Sequence, residues 1–275
     1  MWRVVAEARL VDAAKTHLVV VPIDRVGPLI ASGGVTIDGR IGAIAERVKP
    51  GDMLDARVAE VIAPEPMALA IAYEDDDLVA IDKPPGMHVH PLGAFRTGTV
   101  LNQLLGHAGA RTDEPWAAWR PHPVHRLDRA ASGLVLVAKS PAIHDAIRAR
   151  FSAIHRRYRA TVHGRVATDA GTIDAPLGRD PAQPYRAAVV PGGARAVTHY
   201  RVLDRLGDRS VVEVVLETGR THQIRAHLAS LGHPIVGDDL YVHGTTSAPA
   251  IELRAVALEL DHPRTGRRLV VTPSI

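Results

Sequence analysis

The stretch HPVHRLDRAASGLVLVAKS runs from His122 to Ser140. Asp128 sits between Arg126 and Arg129 in a polar, turn-like context. Ala130-Ala131-Ser132-Gly133 follow, and then the apolar run Leu134 to Lys139, which reads as a buried strand. A carboxylate at the junction of turn and strand can project into a cleft, and neighbouring guanidinium groups favour its charged form. That suits a carboxylate that attacks as a nucleophile and ill suits a general acid. An Arg-x-Asp-Arg cluster on the surface is the other reading, and local chemistry leaves both open. Ser132-Gly133 permits close backbone approach behind the loop.

A second constellation lies downstream in ETGRTHQIRAHLASLGHPIVGDDLY, Glu217 to Tyr241. Thr221 to Leu231 is expected to be helical, with Thr221 capping its start and Gly232 ending it. Gly219-Arg220-Thr221 opens that helix, whose first amides attract anions such as phosphate. At spacings of three and four, Thr221, Ile224, Arg225 and Leu228 share a face, so Arg225 borders the apolar side. An inward arginine needs a carboxylate partner. Asp128 is one candidate; Asp238 and Asp239 are structural alternatives. Tyr158, in HRRYRATVHG, lies on a strand expected over Tyr158 to Val162. It serves either in packing or as a platform that stacks on a base and offers a hydroxyl.

Composition bounds the rest. The chain has 275 residues, 46% of them hydrophobic, which supports a sizeable core and argues against disorder. It carries 33 basic and 30 acidic residues, a formal charge of +3, which permits a nucleic-acid partner without demanding one. Only Lys15, Lys49, Lys83 and Lys139 are lysines; arginine, whose planar fork suits phosphate and carboxylate, supplies the rest. The absence of cysteine excludes disulfides, thiolate nucleophiles and Cys-ligated metals. His122 and His125, or His222 and His227, do not have the His-Glu-x-x-His spacing of a zinc helix, and no metal site is expected. Phosphate-loop and dinucleotide signatures are missing, and Asp75-Asp76-Asp77 is a turn rather than a calcium loop. Met1 to Ile23 lacks the pattern of a signal peptide, and Leu18 to Val21 is far shorter than the ~20 residues that span a bilayer. A soluble, cytoplasmic protein with no membrane partner is expected.

Ala63-Pro64-Glu65-Pro66 marks a break that divides the chain into residues 1–63 and 64–275. Before it, Gly33 to Arg40 reads as a strand entering an Asp-Gly turn. Lys49 to Asp52 is a second turn, followed by an alternating strand through Ile62. After it, Leu78 to Asp82 is a buried strand stopped by Lys83-Pro84-Pro85-Gly86. A helix is expected over Pro141 to Phe151, with Ile143 and Ile147 four apart. Strands follow over His199 to Leu203 and Ser210 to Glu217, parted by Gly207-Asp208. Many strands with few intervening helices predict an α+β fold: a mixed, largely antiparallel central sheet flanked by helices, with a small N-terminal α/β appendage.

HRLDRAASGLVLVAK together with GRTHQIRAHLASLGHPIVGD resembles the RluA family of RNA pseudouridine synthases. YEDDDLVAIDKPPGMHVHP, YRATVHG, GTIDAPLGRD, ARAVTHYRVLDR and IELRAVALELDHPRTGRRLVVTP match further segments in the family's order, so the resemblance covers about residues 71–275. It implies the pseudouridine synthase fold and isomerisation of uridine to pseudouridine, without metal or organic cofactor. Asp128 falls at the family's essential aspartate, Tyr158 at its active-site tyrosine, and Arg225 at the arginine that pairs with the aspartate. The C1′–N1 bond must break, the uracil turn and a C5–C1′ bond form. The target uridine must leave the stack first. Asp128 acts as nucleophile or as base at the sugar, and the sequence leaves both routes open.

Arg126, Arg129 and Arg220, with His222 and Gln223, are the expected RNA contacts. Two positions depart from the family: Ala131 stands where threonine is common, and Arg254 where histidine is common. LIASGGVTIDGRIGAIAERVKPGDMLDARV resembles the second half of the small RNA-binding domain named after ribosomal protein S-four. The implied partner is ribosomal RNA first and transfer RNA second, met by a monomer with no obligatory protein partner.

Overall fold

The structure is a computed structural model, and it describes residues 1–18, 21–56, 62–109, 121–242 and 250–273. The chain forms two compact units. One comprises Met1–Ile81, Met87–Arg126 and Val135–Arg150; the other comprises Asp82–Gly86, Leu127–Leu134 and Phe151–Ile275.

In the first unit, Trp2–Arg3, Met53–Ala56, Val35–Ile37 and Arg40–Ile41 form a four-stranded antiparallel sheet in that spatial order. Asp38 and Gly39 both have positive φ, 48° and 83°, which gives the tight hairpin that the Asp-Gly pair predicts. The strand expected through Ile62 is seen over Met53–Ala56, and its continuation at 57–61 lies outside the described residues. Helices Leu10–His17 and Ile23–Ala31 bury Leu10, Ala14, Val26 and Ile30 in the same core as Val35, Ile37 and Leu54.

That core also contains Leu101 and Leu105, from the helix Val100–His107. Thr99 caps this helix, accepting from the amide of Asn102 in a reciprocal capping box. Asn102 donates to the carbonyl of Ala63, and Glu65 N–H donates to the carbonyl of Asn102. A Cβ on Gly106 would lie 1.8 Å from the carbonyl oxygen of Glu65, so only glycine admits the backbone there. The proline-rich segment after residue 62 is therefore bound along a helix.

Strands Ala70–Glu74 and Leu78–Lys83 are joined by a turn in which the Asp75 carboxylate accepts the amides of Asp77 and Leu78. The helix expected to Phe151 runs Pro141–Ala149, capped by Ser140; the chain tightens into a 3₁₀ turn at Phe151–Ala153.

The second unit is built on an antiparallel run of strands in the order Ala170–Asp174, Val197–Leu206, Arg209–Leu216, His155–His163, Leu253–Asp261. Arg268–Val271 adds to the last of these. Ser132 and Gly133, the first residues of the strand Ser132–Ala138, pair with Arg254 and Ala255 in parallel. The sheet is thus mixed and mostly antiparallel, as the strand pattern predicts. Alternation along His155–His163 buries Arg156, Tyr158, Ala160 and Val162. A small hairpin, Leu177–Arg179 with Ala187–Val189, and the helix Gln223–Ser230 complete the unit. Among the described residues no helix is long and apolar enough to cross a membrane.

Candidate active site

Asp128 lies in the loop that leads into Ser132–Ala138, and this loop is held by its own backbone. The ammonium of Lys83 donates to the carbonyls of Pro84 (2.9 Å), Arg129 (3.3 Å) and Ala131 (2.5 Å). Gly86 N–H donates to the carbonyl of Arg129 at 2.7 Å. Lys83 is fully buried, and burial pulls its pKa down to about 8 against the attraction of Asp128. Behind the loop, Gly133 has φ of 105°, and a Cβ there would stand 2.2 Å from the carbonyl oxygen of Ala255. The aspartate loop is therefore pinned on one side by a buried cation and on the other by direct backbone contact.

Arg225 projects inward from the helix Gln223–Ser230 and is almost wholly buried. Its Nε and Nη2 each donate at 2.7 Å to the two carboxylate oxygens of Asp238, which is fully buried. Its Nη1 donates at 3.1 Å to Oδ2 of Asp128. Sequence alone presents Asp128, Asp238 and Asp239 as alternatives; one guanidinium serves the first two. Burial works against the Arg225 charge, but hydrogen bonding and charge from Asp238, then Asp128, hold it more firmly protonated than usual. The Asp128 side chain is 25% exposed. Among the described residues its Oδ1 has no hydrogen-bond partner, so one oxygen is anchored and the other faces outward.

Tyr158 is buried on the strand His155–His163, in register with Val214 on one side and Ala255 on the other. Ala255 is also the residue opposite Gly133, so the sheet places the tyrosine one strand from the aspartate loop. The register slips between Arg157 and Tyr158, an irregularity of the kind that re-aims a side chain. Burial raises the Tyr158 pKa, Arg156 lowers it and Asp128 raises it further, so the phenol stays neutral.

The helix starts later than expected. His222 occupies the cap position in a left-handed conformation, φ 53°, which rules out Thr221 as the cap. Gln223, the first residue of the helix, ties down the segment before it instead: its Oε1 accepts from Arg220 N–H and the Thr218 hydroxyl, and its amide donates to Val197 O and Thr198 Oγ1. The family model for RNA pseudouridylate synthase matches residues 77–230. A protein named an uncharacterized RNA pseudouridine synthase, YlyB, of Bacillus subtilis is 40% identical over 246 residues, 86% of this chain and 80% of that one.

The chain belongs to the RNA pseudouridylate synthase family.

This synthase is an isomerase that acts on RNA. It is likewise 40% identical, over 265 residues, to the ribosomal large subunit pseudouridine synthase D of Pseudomonas aeruginosa, covering 89% of this chain and 81% of that one. The human RNA pseudouridylate synthase domain containing 1 shares its fold, with a TM-score of 0.61 at 24% identity over 75% of this chain and 83% of the other. The family match contains Asp128, Tyr158 and Arg225, while Asp238 lies beyond it.

The expected RNA contacts of the synthase divide by exposure. Arg126, Arg129 and Arg220 are exposed, and Arg220 Nε donates to the Arg195 carbonyl at 3.0 Å. His222 is half-buried, with its ring edge-on to Tyr241. Gln223 is buried, and its carboxamide is engaged on both oxygen and nitrogen, which gives it the work of holding the loop before the helix. His227 is buried between Thr198 Oγ1 and Ala175 O, a structural environment.

Ala131 and Arg254 both border the aspartate loop. Ala131 is buried, and its carbonyl, not its side chain, meets Lys83. Arg254 pairs with Asp82 at 2.5 Å, beside the parallel pairing with Ser132. Lys83 is the residue that sequence reasoning passes over as a site component. Its signal is faint but real: a lysine ends an apolar strand in a chain whose cations are nearly all arginine.

Proposed function

We propose that Asp128, Arg225 and Tyr158 carry the isomerisation of uridine to pseudouridine, and that ribosomal RNA is the substrate. The observation that carries the catalytic reading is the Asp128 carboxylate itself. Oδ2 is held by Nη1 of Arg225 at 3.1 Å and Oδ1 faces outward, the arrangement a carboxylate needs to meet a sugar carbon or a sugar proton. Lys83 and Gly133 fix the loop that carries it. As C1′–N1 breaks, the bonding pair leaves with the uracil; the turned base then bonds through C5 to C1′, and C5 gives up its proton. Tyr158, a neutral phenol, stacks on the uracil and relays that proton through its hydroxyl.

Ribosomal RNA is favoured because the Pseudomonas aeruginosa relative is named for the large ribosomal subunit and matches over 89% of this chain. Exposed Arg129 and Arg220 supply phosphate contacts. Residues 64–275 form the catalytic domain on this reading, and residues 1–63 bind structured RNA, in keeping with their resemblance to the S-four domain. The enzyme works as a cytoplasmic monomer.

The Asp128→Asn variant tests the catalytic assignment. It is expected to fold and bind RNA like the native protein but to release no label from uridine tritiated at C5. Substantial turnover by this variant overturns the role given to Asp128. Mapping pseudouridines in total RNA from cells with and without the protein tests the substrate: a site lost only from transfer RNA overturns the ribosomal reading.

A further inference from the structure

The Asp128–Arg225–Asp238 group is not the end of the network. Tyr241, half-buried, lies against the same arginine: Cζ of Arg225 is 5.4 Å from the centre of its ring. A second guanidinium meets this ring as well, with Cζ of Arg186 at 5.3 Å. Arg186 is itself anchored, through Nε to Asp180 at 2.6 Å and through Nη1 to the carbonyl of Leu240. Asp180 is held in turn by the amides of Ala182 and Gln183. The Tyr241 hydroxyl donates to the carbonyl of Ala187 at 2.7 Å, and its amide donates to the carbonyl of Asp238 at 3.1 Å. Burial pushes the phenol up to about 12, so the hydroxyl remains a donor at any working pH.

Each of these contacts removes one freedom from the ring. The hydroxyl fixes its far end, the amide fixes its backbone, and Arg186 fixes its tilt. A ring so constrained bears on a guanidinium whose fork is already closed on Asp238. Two parallel hydrogen bonds hold a guanidinium in its plane but let it rock about the line joining the two acceptors. Rocking moves Nη1, the atom that reaches Asp128, more than it moves Nε or Nη2. A ring against the guanidinium resists that motion by cation–π attraction and by contact.

We propose that Tyr241 is a positioning residue for the isomerisation: its ring, fixed by Arg186 and Ala187, holds Arg225 at the angle that presents Nη1 to Asp128. This rests on the catalytic reading of Asp128 and Arg225 given above. Tyr241 acts through the arginine, so its loss slows the chemical step and leaves RNA binding in place. A role in packing alone predicts lower stability without a change confined to kcat.

The test compares Tyr241→Leu, Tyr241→Phe and Asp128→Asn in the full-length protein, with ribosomal RNA from cells lacking the enzyme as substrate. Leucine fills similar space without a π face, and phenylalanine keeps the face and loses only the hydroxyl. Tyr241→Leu is expected to lower kcat about ten- to a hundredfold, the scale of a small misplacement of a reacting group, with KM and RNA affinity within about twofold. Tyr241→Phe should restore most of the rate. A folded Tyr241→Leu with native kcat, or with its loss confined to KM, overturns the inference while an inactive Asp128→Asn leaves the catalytic reading standing. Turnover by Asp128→Asn overturns both. Should Tyr241→Leu fail to fold, Arg186→Gln carries the same measurement: a loss in kcat at unchanged KM supports the role of the ring, and native kcat overturns it.

Discussion

Oδ2 of Asp128 accepts a hydrogen bond, 3.1 Å long, from Nη1 of Arg225, whose remaining fork is closed on Asp238. The buried arginine is thus neutralised by a buried aspartate, and the half-buried Asp128 receives an oriented donor without losing its second oxygen. Removing either carboxylate has a different meaning. Asp238 keeps a buried charge compensated; Asp128 keeps one oxygen that makes no hydrogen bond to the described residues.

Arg225→Lys should be far from conservative. An ammonium is a point charge and cannot close on Asp238 with two parallel bonds while reaching Asp128 with a third. Single-turnover rates at saturating RNA are expected to fall about 10²- to 10³-fold, the scale seen when one oriented donor is removed from an active site. A variant within about threefold of native would show that the fork geometry is irrelevant to the rate.

Lys83→Met keeps the length of the side chain and removes the ammonium. Pro84, Arg129 and Ala131 each lose a donor to their carbonyls. The expected cost is about 1–3 kcal/mol in urea unfolding, with a slower chemical step because the Asp128 loop is released. The pH dependence has a definite sign. The folded pKa of Lys83 is about 8, below the usual 10.5, so between those values the unfolded chain binds the extra proton. Native stability relative to Lys83→Met should therefore rise with pH from about 8 to about 10.5. A flat or falling difference over that window would contradict the buried cation.

Gly133→Ala tests the floor of the aspartate loop. With φ at 105°, alanine is strained by about 1–3 kcal/mol before any contact is counted. Its Cβ would also stand 2.2 Å from the Ala255 carbonyl oxygen, so the parallel pairing must open. Loss of folding, or folding with a large fall in activity, is expected by thermal melting and turnover. Native behaviour in both would mean that the strand pair can separate without consequence.

His17 makes a prediction for the first unit. Its ring stacks on Trp2 at 5.3 Å. Burial lowers its pKa to about 4, with Asp145 opposing and His144 assisting. The folded value lies below the unfolded one, so the unfolded chain takes up a proton first as pH falls from about 6.5, and stability drops towards pH 4. His17→Phe should remove about 2 kcal/mol of the difference in urea stability between pH 7 and pH 5. An unchanged difference would show that His17 does not titrate in this range.

The outline of this molecule could be read from its residues because much of it is local. Alternation along HRRYRATVH specifies which side of the strand is buried, and Asp38-Gly39 specifies a hairpin through positive φ. Ser132-Gly133 signals close backbone approach, and the structure shows the carbonyl of Ala255 that requires it. The helix starts after His222, although Thr221 has the chemistry of a cap. The deciding element is the side chain of Gln223, which binds Val197 and Thr198, more than twenty residues upstream. Local pattern carries no trace of such a partner.

Residue spacing and turn chemistry, which act over a few residues, specify a mixed sheet, a glycine-backed aspartate loop and an inward arginine on a short helix. Only the tertiary structure shows that one guanidinium serves both Asp128, 97 residues away, and Asp238, which residue spacing leaves as alternatives. It also decided that Lys83 grips the loop and that Tyr241 lies on the arginine. The reason is register. Gly133 stands opposite Ala255 and Ala255 opposite Tyr158, and only the assembled strands set those pairings. A carboxylate between arginines is an ambiguous sign in a chain; in a folded sheet, what surrounds it says which arginine it uses.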